Sequence, residues 1–276
     1  MNRDLEMITE DVELPDGAKA KAVSRPDLQD WGWEQGITLR QAEILALEQE
    51  VWPKPYLRNH RRFSLQDQIR LLSSRVLIVG LGGLGGVLLE ILARTGVGRI
   101  RCLDPEVFEE SNLNRQILAA SDNLDQTKAE AAVARATAIN PAVEMDAADH
   151  ALKSYNGKHA FEGVDAVADG LGDLDGRALL WGMARKAGLP VASAAVAGSS
   201  GFAATLQPDG VDPSEVLAAA GAGAEKSLGT QGPAVHAAAG IQCSEIFALL
   251  LGQPPALSGK LLLFDLAQGN FETLTL

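Results

Sequence analysis

Cysteine is nearly absent from this chain of 276 residues, which contains only Cys102 and Cys243. No cysteine pair has the CxxC spacing of a thiolate zinc site, and the four histidines are scattered along the sequence. The sequence therefore predicts neither a disulfide framework nor a zinc site. Both cysteines fall in apolar segments, so we expect them to be small core residues rather than nucleophiles.

Basic residues are also few. The chain has 24 lysines and arginines against 36 aspartates and glutamates, which gives a formal net charge of −12. We expect no diffuse nucleic-acid surface on such a chain, although a local basic pocket for phosphates is compatible with it. The acidic N-terminus lacks the apolar core of a signal peptide, and no apolar run looks long enough to span a bilayer. These absences predict a cytoplasmic protein without a membrane partner.

Glycine and apolar side chains are abundant, with 28 glycines and a hydrophobic fraction of 46%. This composition and length suit one large α/β domain with extensions. Residues 1 to about 36 are polar and acidic, and two interpretations stay open for them: a mobile tail, or an arm docked through Trp31 and Trp33. Thr38 is predicted to cap a helix that runs to Val51.

From Arg75 onward, short apolar runs alternate with helical patterns. RVLIVG predicts a buried parallel strand, GLGGLGG a tight loop, VLLEILART a helix and RIRCLD the next strand. Residues 211–230, rich in alanine and glycine, predict a loop or weak helix, and residues 232–276 predict a long helix and a hairpin. The predicted fold is α/β, a Rossmann-like doubly wound and mainly parallel sheet with helices on both faces. An N-terminal helical arm and a C-terminal helix plus hairpin are added to it.

Gly80, Gly82 and Gly85 form the pattern GxGxxG between the predicted strand and helix. Glycines let the backbone approach a phosphate or ribose closely, and a helix N-terminus favours negative charge. Asp104 ends the next strand, at the separation where an acid accepts ribose hydroxyls. The pattern predicts a nucleotide-binding domain without distinguishing NAD from ATP. A tight turn without a ligand is the alternative.

A polar cluster follows the predicted ribose-binding acid. Asn112, Asn114, Arg115 and Gln116 lie within five residues, and Lys128 lies thirteen residues beyond Arg115. A dehydrogenase does not need two cations here, whereas a triphosphate must be neutralised before a weak carboxylate nucleophile can attack phosphorus. The cluster therefore favours ATP chemistry. A solvated charged loop is the alternative, above all for Lys128.

Three segments together resemble the ThiF/MoeB/HesA adenylyltransferases, a resemblance that extends to ubiquitin-activating enzymes. They are VLIVGLGGLGG, LDPEVFEESNLNRQ, and the helix of Lys128 with INP at its end. The resemblance covers residues 56–206 well and residues 232–276 less tightly. It implies ATP-dependent adenylation of the C-terminal Gly-Gly carboxylate of a small ubiquitin-like sulfur-carrier protein, giving an acyl-adenylate and pyrophosphate. We accordingly predict a partly helical N-terminal extension, residues 1–52, and an adenylyltransferase domain, residues 53–276.

The resemblance also implies residue roles. Gly83 matches a nucleotide contact, Asp104 the ribose ligand and Lys128 a phosphate-binding lysine. The complete predicted nucleotide-binding set is Gly80, Gly82, Gly83, Gly85, Asp104, Asn112, Asn114, Arg115, Gln116 and Lys128. Upstream, Arg58 takes the place of an arginine that reaches the γ-phosphate across a homodimer, although Pro55 stands where the family has another arginine.

The sequence departs from the family pattern where a magnesium ligand belongs. When Asp169 and Arg177 are aligned with the pattern, Gly172 stands at the metal-binding aspartate and Asp173 at the following asparagine. Magnesium prefers hard oxygen ligands and bridges the phosphates of its nucleotide, so a carboxylate is needed. We expect Asp173 to substitute through a shift of the glycine-containing loop. The alternative is a site that binds nucleotide without turnover.

The predicted catalytic residues are therefore Arg58, Arg115, Lys128 and Asp173, with ATP and Mg²⁺ as cofactors. Because no cysteine falls in residues 211–230, we expect the reaction to end at the adenylate and a separate donor to supply sulfur. Two alternatives stay open. One is a catalytically inactive family member or partner subunit, and the other is an NAD-dependent oxidoreductase, which the two cations argue against.

Overall fold

The chain folds around two β-sheets within residues 4–14, 16–210 and 227–276, which the computed structural model describes. The strands are β1 (Glu10–Glu13), β2 (Lys19–Val23), β3 (Val51–Pro53), β4 (Arg75–Val79), β5 (Arg99–Leu103), β6 (Glu144–Ala148), β7 (Ala166–Asp169), β8 (Val191–Ala197), β9 (Ser200–Leu206), β10 (Lys260–Asp265) and β11 (Asn270–Thr275). The α-helices are α1 (Arg25–Gln35), α2 (Leu39–Glu48), α3 (Leu65–Ser73), α4 (Gly83–Thr95), α5 (Lys128–Ile139), α6 (Gly157–Ala160), α7 (Leu174–Lys186) and α8 (Gly232–Leu250). The predicted loop or weak helix at 211–230 lies outside the described residues except for its last four positions.

The larger sheet has the strand order β11-β10-β9-β8-β7-β4-β5-β6. Strands β6, β5, β4, β7 and β8 run parallel, and β9, β10 and β11 continue the sheet in antiparallel order. The winding reverses between β4 and β7, because the chain proceeds from β4 to β5 and β6 on one side and later to β7 and β8 on the other. Ligands of open α/β sheets bind beyond the carboxyl ends of the strands at such a reversal. The predicted fold class is confirmed.

Alternating side chains of β4 are buried on opposite faces of this sheet. Val76 and Ile78 join an apolar cluster with α4, α5 and α8, whereas Leu77 and Val79 join a second cluster with α7. Burying one such side chain stabilises a fold by about 1.5–3 kcal/mol. Because both faces are covered by helices, the strand is apolar at every position after Arg75 and not only at alternate ones.

Helix α8 is long and apolar enough to cross a membrane by length and composition alone, which the sequence analysis did not expect. In the structure it packs against α4 and against β7, β8 and β9. Its residues Val235, Ala239, Cys243 and Ile246 belong to the apolar cluster on that face of the sheet. The helix is apolar because it packs in the core against the sheet and α4.

The first part of the chain is a folded unit, the N-terminal module, formed by the described residues 4–14 and 16–53. Helices α1 and α2 confirm the predicted helical arm, but its sheet of β1, β2 and β3 was not predicted. Trp31 is 8% exposed and belongs to an apolar cluster with Leu28 and Ala46, whereas Trp33 is 84% exposed. The mobile tail is therefore wrong. Trp31 packs in an apolar cluster of the module itself and Trp33 is exposed, so the arm is not docked through both tryptophans as predicted.

Helix α2 is shorter than predicted. Thr38 caps it as expected, but the helix ends at Glu48 and Val51 lies in β3. Glu50 has a positive φ of 61°, which turns the chain out of the helical path. Because β3 pairs with β2, the proposed boundary between residues 52 and 53 falls inside a strand of the N-terminal module.

A buried chain of hydrogen bonds joins the N-terminal module to the main body. The Tyr56 hydroxyl donates to Glu43 Oε2 at 2.8 Å, and Asn140 Nδ2 donates to the Tyr56 hydroxyl at 2.9 Å. Arg25 Nε lies 3.7 Å from Glu43 Oε1. Burial raises the pKa of Glu43 to about 7, because the loss of hydration outweighs the stabilisation of the carboxylate by Tyr56 and Arg25.

We expect this carboxyl group to make the protein less stable as the pH rises. Its raised folded-state pKa means that its contribution is complete below the ordinary value of 4.5 and is lost as the pH rises through about 7. The shift corresponds to about 3 kcal/mol. Urea unfolding from about pH 5 to about pH 8 measures this loss. The variant Glu43→Gln, which keeps an acceptor for Tyr56, should abolish it; parallel pH curves for the two proteins would contradict the expectation.

Candidate nucleotide site

A cavity of about 680 Å³ opens beyond the carboxyl ends of β4, β5, β7 and β8. The predicted site residues that line it are Gly80, Gly82, Gly83, Asp104, Arg115, Gln116, Lys128 and Asp173. The predicted residues that do not line it are Arg58, Gly85, Asn112 and Asn114. The cavity is also lined by Glu106, Lys153 and Asp175, which the sequence analysis did not single out.

The glycine loop is held by close backbone contacts that a side chain would prevent. Gly80 has a φ of +90°, and a Cβ added there would lie 2.7 Å from the carbonyl oxygen of Gly170. A Cβ at Gly85 would lie 1.8 Å from the carbonyl oxygen of Gly80. Gly85 therefore lets α4 pack on the loop from behind and does not face the cavity. Its assignment as a direct nucleotide contact is not supported by this position.

Asp104 links the end of β5 to the glycine loop. Its Oδ2 accepts a hydrogen bond from the Leu81 amide at 2.6 Å, and its Oδ1 accepts one from the Glu106 amide at 2.9 Å. The carboxylate is buried, with 4% of the residue exposed, yet it lines the cavity. The two amides fix the orientation of the carboxylate while lone pairs on both oxygens stay available for a ligand.

The side chains of Asn112 and Asn114 hold the local turn around Arg115 and do not line the cavity. Arg115 Nη1 donates to Asn114 Oδ1 at 2.8 Å and to the Ser111 carbonyl oxygen at 3.0 Å. Asn112 Oδ1 accepts from the Glu109 amide at 3.2 Å and closes the turn before them. Arg115 and Gln116 of the segment EESNLNRQ therefore line the cavity, whereas Asn114 orients the Arg115 guanidinium and Asn112 closes the local turn.

Lys128 begins α5 and is only 2% exposed. Its Nζ lies 2.5 Å from Glu106 Oε2 and 5.9 Å from the centre of the Phe108 ring. The predicted alternative, a lysine facing solvent, is therefore wrong. A buried ammonium that faces a cavity needs an anion beside it, and Glu106 supplies one. Gln116 is also buried, and among the described residues its Oε1 has no hydrogen-bond partner.

A buried ion pair holds the loop that follows β7. Asp169 Oδ2 accepts hydrogen bonds from Arg177 Nη1 at 3.2 Å, Trp181 Nε1 at 3.1 Å and Ser193 Oγ at 2.7 Å. Arg177 Nη2 in turn donates to the carbonyl oxygen of Leu171. From the sequence, Asp169 and Arg177 served only to align the loop with the family pattern. The buried ion pair between them fixes both ends of the loop, which is the physical reason for that alignment.

The end of the loop and the first turn of α7 present two exposed carboxylates, Asp173 and Asp175, to the cavity. Asp173 caps α7, with its Oδ1 accepting from the Gly176 amide at 2.6 Å, which leaves its second oxygen available. A Cβ at Gly172 would meet no atom within 4 Å. Within residues 4–14, 16–210 and 227–276, no three His, Cys, Asp or Glu side chains form a preformed metal site. One or two carboxylates still fit Mg²⁺, which commonly takes its other ligands from water and substrate phosphates.

Both cysteines are core residues, as predicted. Cys102 lies in β5 and Cys243 in α8, and each is at most 1% exposed. Burial raises the pKa of both thiols well above the ordinary value, and for Cys102 the nearby carboxylates of Asp146 and Asp104 add to the effect. Neither thiol is placed to act as a nucleophile.

Together, the fold and the cavity define a Rossmann-type α/β protein with a glycine loop at the reversal of its sheet. The model of the ThiF family matches residues 56–276. The chain belongs to the ThiF family, which confirms the resemblance drawn from its motifs.

Named relatives are similar over most of the chain. The SAMP-activating enzyme E1 of Haloferax volcanii is 36% identical over 219 residues, which are 75% of this chain and 78% of that protein. The sulfur carrier protein adenylyltransferase of Thermus thermophilus is 31% identical over 246 residues, 81% of this chain and 89% of that protein. The adenylyltransferase and sulfurtransferase MOCS3 of Bos taurus is 32% identical over 222 residues, 77% of this chain. The matched region spans only 48% of MOCS3.

Solved structures share the fold at lower identity. The crystal structure of PaaA superposes with a TM-score of 0.69 at 21% identity, covering 80% of this chain and 82% of that one. Escherichia coli MccB with ATP superposes with a TM-score of 0.67 at 18% identity, covering 80% and 70%. These likenesses establish the architecture, and the chemistry is argued from the site itself.

Proposed function

We propose that this protein is an ATP-dependent adenylyltransferase that activates the C-terminal Gly-Gly carboxylate of a small ubiquitin-like sulfur-carrier protein. The observation that carries the proposal is the convergence of Asp104, Arg115 and Lys128 with the glycine loop in one cavity. Two cations and a ribose-binding acid beside a loop that admits close backbone approach are suited to a nucleoside triphosphate. The names of the relatives, which are adenylyltransferases or activating enzymes, support the same chemistry.

In the proposed reaction, a carboxylate oxygen of the carrier attacks the α-phosphorus of ATP. A new oxygen–phosphorus bond forms, the bond to the β-phosphate oxygen breaks, and pyrophosphate leaves with the electron pair. Arg115 offers a planar guanidinium to phosphate oxygens, and Lys128 a buried point charge, so both offset the negative charge that builds up during transfer. The glycine loop brings amide groups and the start of α4 to the phosphates.

Asp173 and Asp175 are the side chains that would hold Mg²⁺ in this site. Mg²⁺ held there would supply positive charge that offsets part of the negative charge of the phosphates. Asp173 presents its free oxygen at the start of α7, while its other oxygen fixes the carboxylate to the Gly176 amide. The buried pair of Asp169 and Arg177 keeps the loop between them in place, so the carboxylates face the cavity.

The proposal includes a homodimer in the cytoplasm, without membrane or nucleic-acid partners. Arg58 is exposed on the turn of Lys54–Asn59 and does not line the cavity of its own chain. A role for Arg58 at the γ-phosphate therefore requires a second copy. Because Cys102 and Cys243 are both buried in the core, the proposed reaction ends at the adenylate and a separate donor supplies sulfur.

The proposal is tested by pyrophosphate exchange into ATP. We expect exchange when ATP, Mg²⁺ and a ubiquitin-like carrier ending in Gly-Gly are all present. The matched control is the same carrier without its two terminal glycines, which should give none. If ATP binds but no candidate carrier supports exchange, the protein is the nucleotide-binding and inactive family member that is the alternative.

The carboxylate at residue 173 separates these two functions further. Asp173→Asn keeps the cap on the Gly176 amide but removes the charge, and exchange should fall by about 100-fold. Adding Gly172→Asp should restore it, because a side chain at residue 172 meets no atom within 4 Å. The gain in ATP affinity on adding Mg²⁺, measured as the ratio of the two Kd values, should be lost in Asp173→Asn and restored in the double variant. Unchanged exchange and unchanged Mg²⁺ dependence in Asp173→Asn would show that another group holds the metal.

A further inference from the structure

The turn that carries Arg58 is held from two sides: the main body contacts it through Asn140 and Gln68, and the N-terminal module contacts it at both ends. Lys54 Nζ lies 2.5 Å from Glu10 Oε1 on β1, at the start of the turn. Tyr56 donates to Glu43 on α2 at 2.8 Å. The residues from 54 to 61 thus contact three parts of the module: β1, α2 and the loop between β1 and β2.

The loop between β1 and β2 holds the far end of the turn through Asp16. Asp16 Oδ2 lies 3.3 Å from Arg61 Nε, and its Oδ1 lies 3.4 Å from His60 Nε2. The other ring nitrogen of His60, Nδ1, is 2.9 Å from the carbonyl oxygen of Leu57. His60 therefore lies between Asp16 and the backbone immediately before Arg58, and among the described residues its Nε2 makes no hydrogen bond, so Arg61 is the ion-pair partner of Asp16 when the imidazole is neutral. The Ala18 amide donates to Asp16 Oδ1 at 3.1 Å and fixes the carboxylate in its own loop.

Arg58 differs from the cations on either side of it. Lys54 and Arg61 are each paired with an acid of the module, whereas no acidic side chain among the described residues lies within ion-pair distance of Arg58. Its side chain is exposed at the surface of an acidic protein. Acids of the module thus neutralise Lys54 and Arg61, and the Arg58 guanidinium stays available to a ligand outside its own chain.

We propose that the N-terminal module is a clamp on the turn of Lys54–Asn59, and that Asp16 is the positioning residue that holds Arg58 toward the nucleotide site of a second copy. This inference rests on the proposed function, which supplies the second copy and the nucleotide. A guanidinium contributes to binding in proportion to how well its fork is preorganised. Fixing the turn at both ends lowers the entropy that Arg58 loses when it contacts phosphate.

The test compares three neutralised acids of the same module, two at the turn and one away from it. Asp16→Asn keeps an acceptor for the Ala18 amide but removes the charge facing His60 and Arg61. We expect the KM for ATP in pyrophosphate exchange, and the Kd for ATP by calorimetry, to rise about threefold to fivefold. The control is Glu6→Gln, which breaks the 3.3 Å pair with Lys21 away from the turn and should change neither value. Glu10→Gln, which frees Lys54, is the second clamp variant and should act like Asp16→Asn.

Mixed dimers decide whether the clamp serves a second copy. Asp16→Asn is co-expressed with Lys128→Met under two affinity tags, and doubly tagged dimers are purified. The active pocket then belongs to the Asp16→Asn copy and receives Arg58 from a copy with an intact clamp, so the KM for ATP should return to the wild-type value.

Three results would overturn the inference: a KM that stays raised in the mixed dimer, absence of doubly tagged dimers, or equal behaviour of Asp16→Asn and Glu6→Gln. If the wild-type protein binds ATP but gives no exchange, the proposed adenylation is wrong while the clamp is still testable. The Kd for ATP of the variants then decides the clamp by itself.

Discussion

Replacing Lys128 with methionine should reduce carrier-dependent pyrophosphate exchange by about 100-fold to 1,000-fold, the effect of removing one preorganised charge from a developing anion. Lys128 is 2% exposed at the wall of the cavity, so water cannot replace its ammonium effectively. Methionine fills a similar volume, and Glu106, whose side chain is 68% exposed, stays hydrated when its partner is removed. The loss should therefore be one of activity and not of folding.

The matched control for this substitution is Lys186→Met. Lys186 lies at the end of α7 and does not line the cavity, so exchange should stay at the wild-type rate. Thermal unfolding of both variants checks that the fold is intact. If Lys128→Met retains more than a tenth of the exchange rate, the phosphate-binding role of this lysine is wrong.

Gly85→Ala should unfold or severely weaken the protein, although it adds a single methyl group. The added Cβ would lie 1.8 Å from the carbonyl oxygen of Gly80, which is backbone and cannot rotate away. Either α4 or the glycine loop must shift, and overpacking of this kind costs about 1–3 kcal/mol or more. Because the shift displaces the loop, ATP binding should be lost together with stability. Urea unfolding and calorimetric titration with ATP measure the two effects.

Gly182→Ala is the control for that change. Gly182 lies within α7, and a Cβ there would meet no atom within 4 Å. Alanine in the interior of a helix should stabilise the protein by about 0.5–1 kcal/mol, and ATP binding should be unchanged. Equal stability of Gly85→Ala and wild type would show that the loop has more room than the structure gives it.

The parts of the molecule that the sequence predicted best are those determined by near neighbours in the chain. The run RVLIVG, the glycine loop and the helix after it follow from apolar pattern and backbone freedom within 20 residues. Asp104 was found because it ends the next strand of the same unit. The glycine loop and Asp104 were recognisable because they lie close together in the sequence.

Contacts between separate elements account for part of what was missed, and the double use of polar side chains in turns accounts for the rest. The pair of Asp169 and Arg177 joins a strand to a helix, and its partner Ser193 comes from a third element. The side chains of Asn112 and Asn114 were assigned to the nucleotide because a polar residue near a phosphate site has the same sequence signature whether it binds ligand or closes a turn. Only the three-dimensional contacts of the side chain show whether it faces the cavity or closes a turn.

The sheet of the N-terminal module escaped prediction for a different reason. Strand β1 has no buried residue, and β2 buries only Ala22 and Val23. A strand with so little burial lacks the alternation of apolar and polar residues from which strands are recognised. Its polar, acidic sequence therefore resembled a mobile tail, although Glu10 and Asp16 use that charge to hold the turn that carries Arg58.

The burial of Cys102 and Cys243 has a practical consequence for following the protein in solution. With at most 1% of either residue exposed, and with both thiols held in their protonated form, maleimide reagents find no reactive sulfur on the native protein. A cysteine introduced at residue 172 would meet no atom within 4 Å and would open onto the cavity. A fluorophore attached there would be the single label on the molecule, and its emission would report the arrival of nucleotide beside it.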